Sequence, residues 1–234
     1  MDISLFYEAR GTGFPLILLH GNGEDHHYFA AQLDYFSEHY RVIALDTRGH
    51  GQSPRVDGEF SIRRFAQDLY DFMRAQRISR AHLLGFSDGG NIALDFALKH
   101  PEMVETLILN GANLNPGGVR RSVQLPIEIG CRIARLFAER SPKARANAEM
   151  LGLMVNEPHI APEALRALNM PVLVIAGTKD MIRRSHTELI ARSLPRAELA
   201  ILNGTHFIAH ESPAEFNRAV ETFLNTCTNE RCRT

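Results

Sequence analysis

The sequence predicts an α/β fold, a mostly parallel twisted sheet with helices on both faces. Short apolar runs alternate along the chain with amphipathic stretches. The runs show no polar alternation, which is typical of strands covered on both faces. The order strand, helix, strand favours right-handed crossovers in a parallel sheet. Because 234 residues suit one such unit, we expect a single domain over residues 1–234.

Six apolar runs are predicted to be the strands. Each is short, is rich in leucine, isoleucine, valine or alanine, and is followed by a polar residue or glycine. In chain order they cover residues 16–19, 41–45, 81–86, 106–110, 172–176 and 198–202.

Three amphipathic stretches are predicted to be helices. The first begins at Ser61 and keeps Phe65, Leu69 and Phe72 on one face. The others cover about residues 88–99, ending before a proline, and about residues 213–224. Between about residues 114 and 168 no strand-like run occurs, and the pattern indicates two or three helices. We therefore expect a short helical cap, residues 114–168, inserted into the domain and lying over the sheet.

Composition and charge narrow the class of protein. Apolar residues make up 44% of the chain and charged residues 23%, which is ordinary for a globular protein and excludes a disordered one. The net charge of −1 gives no global attraction for nucleic acid or an anionic membrane, so we expect neither partner. The first apolar run is too short for a signal peptide or a membrane span, which favours a cytoplasmic protein.

The three cysteines, Cys131, Cys227 and Cys232, form no disulfide framework, and their odd number favours a reducing compartment. A metal site at Cys227 and Cys232 is an alternative. We expect no metal and no cofactor, and a small molecule as the substrate. The sequence does not indicate the oligomeric state.

The strongest local signal is the sequence Gly85-Phe86-Ser87-Asp88-Gly89. A predicted strand precedes it and a predicted helix follows, as required of a turn that lifts a nucleophilic serine above a sheet edge. Residues two before and two after the serine approach each other closely, so both must be small. We interpret Ser87 as a nucleophile. The alternative is a Gly-Ser loop without chemistry.

A serine nucleophile needs a base, and the base needs an orienting acid. Asp180 follows the strand at 172–176, and His206 follows the strand at 198–202. Both lie beyond the carboxyl end of a strand, where ligands bind in open α/β sheets. We predict His206 as the base and Asp180 as the acid. His210 is the alternative base, and Glu211 and Asp88 are alternative acids.

The sequence His20-Gly21-Asn22-Gly23 directly follows the first predicted strand. Acyl transfer needs two N–H donors aimed at the developing oxyanion. The backbone amides of Asn22 and Asp88 are predicted to be these donors. His20 is interpreted as a structural residue that holds the loop.

With these motifs the sequence resembles the α/β-hydrolase superfamily, in its compact branch of esterase-like serine hydrolases with a small helical cap. The resemblance covers about residues 1–224 and implies a catalytic triad, a nucleophile elbow and an oxyanion hole. Asp46 and Arg48 match a turn that is structural in the family. Related dehalogenases and epoxide hydrolases have aspartate where Ser87 stands, so their chemistry is disfavoured. The matching blocks are residues 20–23, 46–53, 85–90, 177–180 and 204–207.

The resemblance implies a serine hydrolase that cleaves a small carboxylic ester through an acyl-enzyme. A carbon–carbon bond hydrolase or cofactor-free lyase on the same triad is the alternative enzyme. A non-catalytic ligand receptor is the alternative from another class. The Ser-Asp-Gly-Gly form resembles valacyclovir-hydrolase-like esterases, in which the carboxylate at the position of Asp88 attracts a substrate amine. The other interpretation is that Asp88 caps the helix after the elbow.

The predicted cap is basic, with seven Lys or Arg against two Glu between residues 114 and 148. Ile129, Ile133, Leu136 and Phe137 fall on one helical stripe, which we expect to face Ser87 and form the acyl pocket. The arginines are then expected on the outer face. They are either solvated or turned inward to bind a substrate carboxylate.

Overall fold

Seven strands form one sheet in the computed structural model, which describes residues 3–56 and 58–231. The order across the sheet is β1-β3-β2-β4-β5-β6-β7, and only β1 runs antiparallel to its neighbour. The strands are β1 (Tyr7–Arg10), β2 (Pro15–Leu19), β3 (Arg41–Leu45), β4 (Ala81–Phe86), β5 (Val104–Asn110), β6 (Val172–Gly177) and β7 (Ala197–Leu202).

All six predicted strands are present, and β5 begins two residues before its predicted start. The sequence pattern missed β1, whose four residues include the charged Glu8 and Arg10. It lies at the sheet edge and pairs with β3 alone, so it needs no continuous apolar run.

Helices cover both faces of the sheet. Leu16 and Leu18 of β2 belong to one buried cluster, while Ile17 and Leu19 belong to the other. This explains the continuous apolar run, because each face of the strand meets a packed layer. The helices are α1 (Ala30–Phe36), α2 (Ile62–Ala75), α3 (Asp88–Lys99), α4 (Arg121–Phe137), α5 (Pro142–Asn156), α6 (Arg184–Ser193), α7 (Ile208–Glu211) and α8 (Pro213–Arg231).

The predicted starts of the three helices agree with the structure. The Ser61 hydroxyl accepts a hydrogen bond from the Arg64 amide at 3.1 Å, which caps α2. The sequence pattern missed the shorter helices α1, α6 and α7. The last helix runs past residue 224 to Arg231, and the side chain of Cys232 lies outside the described residues.

Helices α4 and α5 are inserted between β5 and β6. They pack against each other, and the Gln124 amide on α4 donates to the Met154 carbonyl on α5 at 3.1 Å. At the base of the insertion, the Ile160 amide donates to the Leu114 carbonyl at 2.8 Å, and the Arg120 amide donates to the Met181 carbonyl at 2.8 Å. These bonds fix both ends of the insertion beside the sheet.

The predicted apolar stripe of α4 does not form an enclosed acyl pocket. Ile129, Ile133 and Phe137 are about half exposed, and Leu136 is 76% exposed. The helix instead packs through the side that carries Gln124 and Cys131, both of which are buried. Among the helices that the structure describes, none has the length and apolar character needed to cross a membrane.

Candidate active site

Ser87 lies on a sharp turn between β4 and α3. Its backbone has φ 52° and ψ −119°, a left-handed conformation that is strained for any residue with a side chain. A Cβ atom on Gly85 would lie 2.3 Å from the Gly89 carbonyl oxygen, and one on Gly89 would lie 2.0 Å from the Leu19 carbonyl oxygen. Neither position therefore accepts a side chain, which explains both glycines of the motif.

Three of the predicted site residues meet in one hydrogen-bonded chain. The Ser87 hydroxyl lies 3.0 Å from Nε2 of His206. Nδ1 of the same ring lies 2.7 Å from Oδ1 of Asp180. The Ile182 amide also donates to this Oδ1 at 2.8 Å, which orients the carboxylate. His206 and Asp180 are buried, so little water competes for these bonds.

The alternative residues make other contacts. His210 is exposed, and its ring lies 6.2 Å from the ring of Tyr28. Glu211 accepts hydrogen bonds from the amide and hydroxyl of Thr205. Asp88 accepts from the side-chain amide of Asn91 at 3.2 Å. The structure therefore brings Asp180 and His206 to Ser87 and does not bring these alternatives into the same chain.

The loop after β2 is held from two sides. The Thr47 amide donates to Nε2 of His20 at 3.0 Å, and Nδ1 of His20 lies 2.7 Å from the Gly21 carbonyl. Burial lowers the pKa of His20 to about 4, so the ring is neutral at pH 7. These contacts agree with the interpretation of His20 as a residue that holds the loop. The Asn22 side-chain amide donates to the Met150 carbonyl on α5 at 2.7 Å, which links the loop to the inserted helices.

The oxyanion donors remain predictions. The amide of Asp88 belongs to the first turn of α3, where N–H groups have no acceptor within their own helix. Such a group is free to bind an anion at the positive end of the helix. The amide of Asn22 belongs to the loop that His20 and Met150 hold in place.

The turn after β3 is structural, as expected. The Asp46 carboxylate accepts from the amides of His26 and Gln52 at 2.7 and 2.8 Å. Arg48 and Asp68 form two hydrogen bonds of 2.7 Å each, and both side chains are buried.

Sequence reasoning missed two polar residues near the triad. Burial raises the pKa of Glu24 to about 7, and its Oε2 is buried without a hydrogen-bond partner among the described residues. Asn110, at the end of β5, is fully buried, and neither polar atom of its side chain has a partner in the described part of the chain. Glu24 lies one residue past the glycine-rich motif, and no motif marks Asn110.

A cavity of about 500 Å³ lies beside Phe207, the residue after His206. The Tyr28 ring stacks on Phe86 at 4.3 Å, and Phe86 contacts His206 at 4.8 Å between ring centroids. Acidic and aromatic side chains line the cavity, among them Glu24, Glu211, Tyr28 and Phe207.

One cluster has the residue types of a metal site. Asp25, His26 and His27 place ligand atoms within 4.8 Å of one another. However, Nδ1 of His26 already bonds to Asp46 at 2.8 Å, and Nδ1 of His27 bonds to Asp25 at 3.0 Å. Hydrogen bonding accounts for this arrangement, and we assign no metal to it.

Comparison with known proteins agrees with the fold and the motifs. The family model of the alpha/beta hydrolase fold matches residues 15–126. The serine hydrolase BPHL of Homo sapiens is 28% identical over 95% of this chain and 83% of its own length. The (E)-2-((N-methylformamido)methylene)succinate hydrolase of Acinetobacter baylyi is 26% identical over 94% of each chain.

A thermophilic esterase from Thermogutta terrifontis has a closely similar structure, with a TM-score of 0.81 over 96% of this chain and 94% of the esterase. At 23% identity this likeness concerns the fold alone. Together with the sheet order and the family-model match over residues 15–126, it shows that the chain has the α/β-hydrolase fold.

Proposed function

We propose that this protein is a serine hydrolase that cleaves small carboxylic esters through an acyl-enzyme. The observation that carries the proposal is the hydrogen-bonded chain from Ser87 through His206 to Asp180, with distances of 3.0 and 2.7 Å. A non-catalytic receptor would give this chain of three side chains no task, whereas ester hydrolysis uses all of them. The relative named serine hydrolase supports it.

The first half-reaction acylates the serine. Oγ of Ser87 attacks the ester carbonyl carbon while its proton passes to Nε2 of His206. Asp180 holds the ring and stabilises the imidazolium that forms. The negative charge on the carbonyl oxygen is met by the backbone amides of Asn22 and Asp88. When the carbon–oxygen bond to the leaving group breaks, His206 returns the proton to the departing alcohol.

The second half-reaction uses water. His206 takes a proton from water, the resulting hydroxide equivalent attacks the acyl carbon, and the oxyanion donors act again. The bond to Oγ of Ser87 breaks, the serine recovers its proton from His206, and a carboxylic acid leaves. No cofactor takes part in this scheme.

Asp88 is proposed to favour esters that carry an amine near the carbonyl. Its Oδ2 is buried and has no hydrogen-bond partner among the described residues, while Oδ1 bonds to Asn91. If Asp88 capped helix α3, its carboxylate would accept a hydrogen bond from a backbone amide. The hydrogen bond that Asp88 accepts comes instead from the side-chain amide of Asn91. Burial raises the pKa of Asp88 to about 6, so the group is mostly ionised at neutral pH.

The decisive experiment combines an ester panel with active-site labelling. The panel varies acyl length and compares an amino-acyl ester with its neutral isostere. We expect turnover of short esters, and covalent labelling of the protein but not of Ser87→Ala by a fluorophosphonate. We expect Ser87→Ala to lose about 10⁴- to 10⁶-fold in rate. Retention of a tenth of the activity would remove Ser87 from the mechanism.

Matched variants test the base. His206→Ala is expected to be as damaging as Ser87→Ala, and the double variant no worse than either, because the residues act as one unit. His210→Ala, four residues away, is the control and is expected to retain activity. If turnover of a carbon–carbon substrate exceeds that of every ester, the alternative enzyme class is correct. Absence of both labelling and turnover would favour a receptor.

A further inference from the structure

The side of α4 that faces away from its packing partner is apolar. Five large side chains form a single row there, which we call the apolar stripe. Their exposed fractions run from 43% to 76%, far above those of the buried core. The row extends over about three turns of helix, or roughly 18 Å. Its members are Leu125, Ile129, Ile133, Leu136 and Phe137.

The stripe is not the packing face of the helix. The buried residues of α4 are Gln124 and Cys131, and both contact α5, at the carbonyls of Met154 and Ala148. With 100° per residue, these two positions lie on the side roughly opposite the stripe. The covered face of helix α4 is therefore the one with Gln124 and Cys131, and the apolar stripe is left uncovered by the described residues.

A cationic side chain, that of Arg132, lies beside the stripe. Arg132 lies seven residues after Leu125 and four before Leu136, so it projects beside both on the helix surface. Arg121 pairs with Glu128 at 2.6 Å, but within the chain segments that the structure describes Arg132, Arg140 and Lys143 form no ion pair. Residues 114–148 carry a net charge of +5, so the remainder of the chain carries −6.

This local charge decides between possible occupants. Residues 114–148 carry a net charge of +5, so two copies that meet through this segment repel each other, which disfavours self-association through the stripe. An anionic partner is attracted. The row itself consists of aliphatic and aromatic side chains with no hydrogen-bonding atom, and arginine beside such a row is able to reach phosphate while its stem stays in apolar surroundings.

We propose that the apolar stripe binds the surface of an anionic lipid bilayer. The stripe enters the region between headgroups and acyl chains. Arg132 beside it, Arg140 in the turn after α4 and Lys143 at the start of α5 contact lipid phosphates. The sequence-based expectation of no membrane partner used the net charge of the whole chain, which averages the positive insertion with the negative remainder. This proposal is independent of the ester hydrolysis proposed above.

Vesicle flotation tests the proposal on the full chain. Vesicles of equal parts phosphatidylglycerol and phosphatidylcholine are compared with phosphatidylcholine alone. We expect the protein to float with the anionic vesicles only, and the bound fraction to fall several-fold between about 0.05 M and 0.5 M salt. Ile133→Glu with Leu136→Glu is expected to abolish flotation. Leu199→Glu, an exposed apolar residue on β7, is the matched control and is expected to float normally.

A second pair of variants separates charge from apolar contact. Arg132→Glu with Arg140→Glu is expected to reduce flotation at least tenfold, whereas Arg74→Glu on α2 leaves it unchanged. Circular dichroism and the melting temperature show whether each variant is folded. Failure to bind anionic vesicles, or equal loss in Leu199→Glu, overturns the proposal. The proposal is also overturned if light scattering shows a dimer of the natural chain and a monomer of Leu136→Glu, because the stripe would then bind a second copy.

Discussion

At the scale of single residues, the backbone conformation of Ser87 lowers the stability of the folded protein. Its φ of 52° is left-handed, and a residue held in such a region is destabilised by about 1–3 kcal/mol. Glycine adopts this conformation without that cost. We predict that Ser87→Gly melts at a higher temperature than Ser87→Ala. Both variants lose the hydroxyl, so the comparison isolates the effect of Cβ, and equal melting temperatures would show that the turn is relaxed.

Glu24 is expected to make stability depend on pH. Its pKa in the folded protein is about 7, raised by burial above the ordinary value of 4.5. The unfolded chain releases this proton first as pH rises, so the contribution of Glu24 to the free energy of unfolding falls between about pH 4.5 and pH 7. Below that window both states are protonated and there is no penalty.

Denaturant unfolding of the natural chain and of Glu24→Gln measures this effect. The difference in unfolding free energy is predicted to shift by about 1–2 kcal/mol in favour of Glu24→Gln from pH 4.5 to pH 7.5. Parallel pH profiles for the two proteins would show that Glu24 is solvated.

The sequence predicted the site residues that belong to motifs. Ser87 lies in a motif whose glycines are required by backbone contacts, and His206 and Asp180 follow strands that end at the same sheet edge. Glu24 and Asn110 were missed because burial alone makes them unusual, and burial of one polar residue has no local signature in a sequence.

At the scale of elements, the end of β5 controls the position of His206. Gly111 has φ 63°, and a Cβ there would lie 2.6 Å from Cε1 and 2.8 Å from Nδ1 of the His206 ring. We predict that Gly111→Ala displaces the ring and lowers kcat for esters at least about 100-fold, because small misplacements are costly in catalysis.

Gly58→Ala is the matched control for this prediction. Gly58 also has a positive φ, of 127°, but a Cβ there would meet no atom within 4 Å. Both variants are expected to lose about 1 kcal/mol of stability from the backbone, and only Gly111→Ala is expected to lose kcat. Equal kcat values for the two variants would mean that the ring tolerates the methyl group.

The strands were predictable because each buried strand has two covered faces, which leaves a continuous apolar run. The edge strand β1 has no such run.

Helix α4 shows a different limit of prediction from sequence. Its apolar residues include Ile127 and Cys131 as well as Ile129 and Ile133, so periodicity indicated an apolar stripe but did not decide which side would be buried.

At the scale of the whole molecule, positive charge lies on residues 114–148 and negative charge on the remainder. This distribution has little effect on the binding of a neutral substrate. The net charge is −1, and the excess of positive charge lies on exposed side chains of the insertion. We predict that kcat/KM for a neutral short ester stays nearly constant from low salt to about 0.5 M, since no Coulomb attraction is there to be screened. An anionic ester of equal size is the comparison. Preference for it, with a several-fold fall over the same range, would indicate that arginines such as Arg132 and Arg135 steer the substrate.

The hydrogen bond between the Ile160 amide and the Leu114 carbonyl has an evolutionary consequence. It closes the inserted helices into a loop whose two ends meet beside one strand edge, while Ser87, Asp180 and His206 follow β4, β6 and β7. Lengthening, shortening or exchanging the insertion therefore leaves the spacing of those three strand ends unchanged. Selection is then free to alter the surface that meets the surroundings while the spacing of Ser87, Asp180 and His206 stays constant.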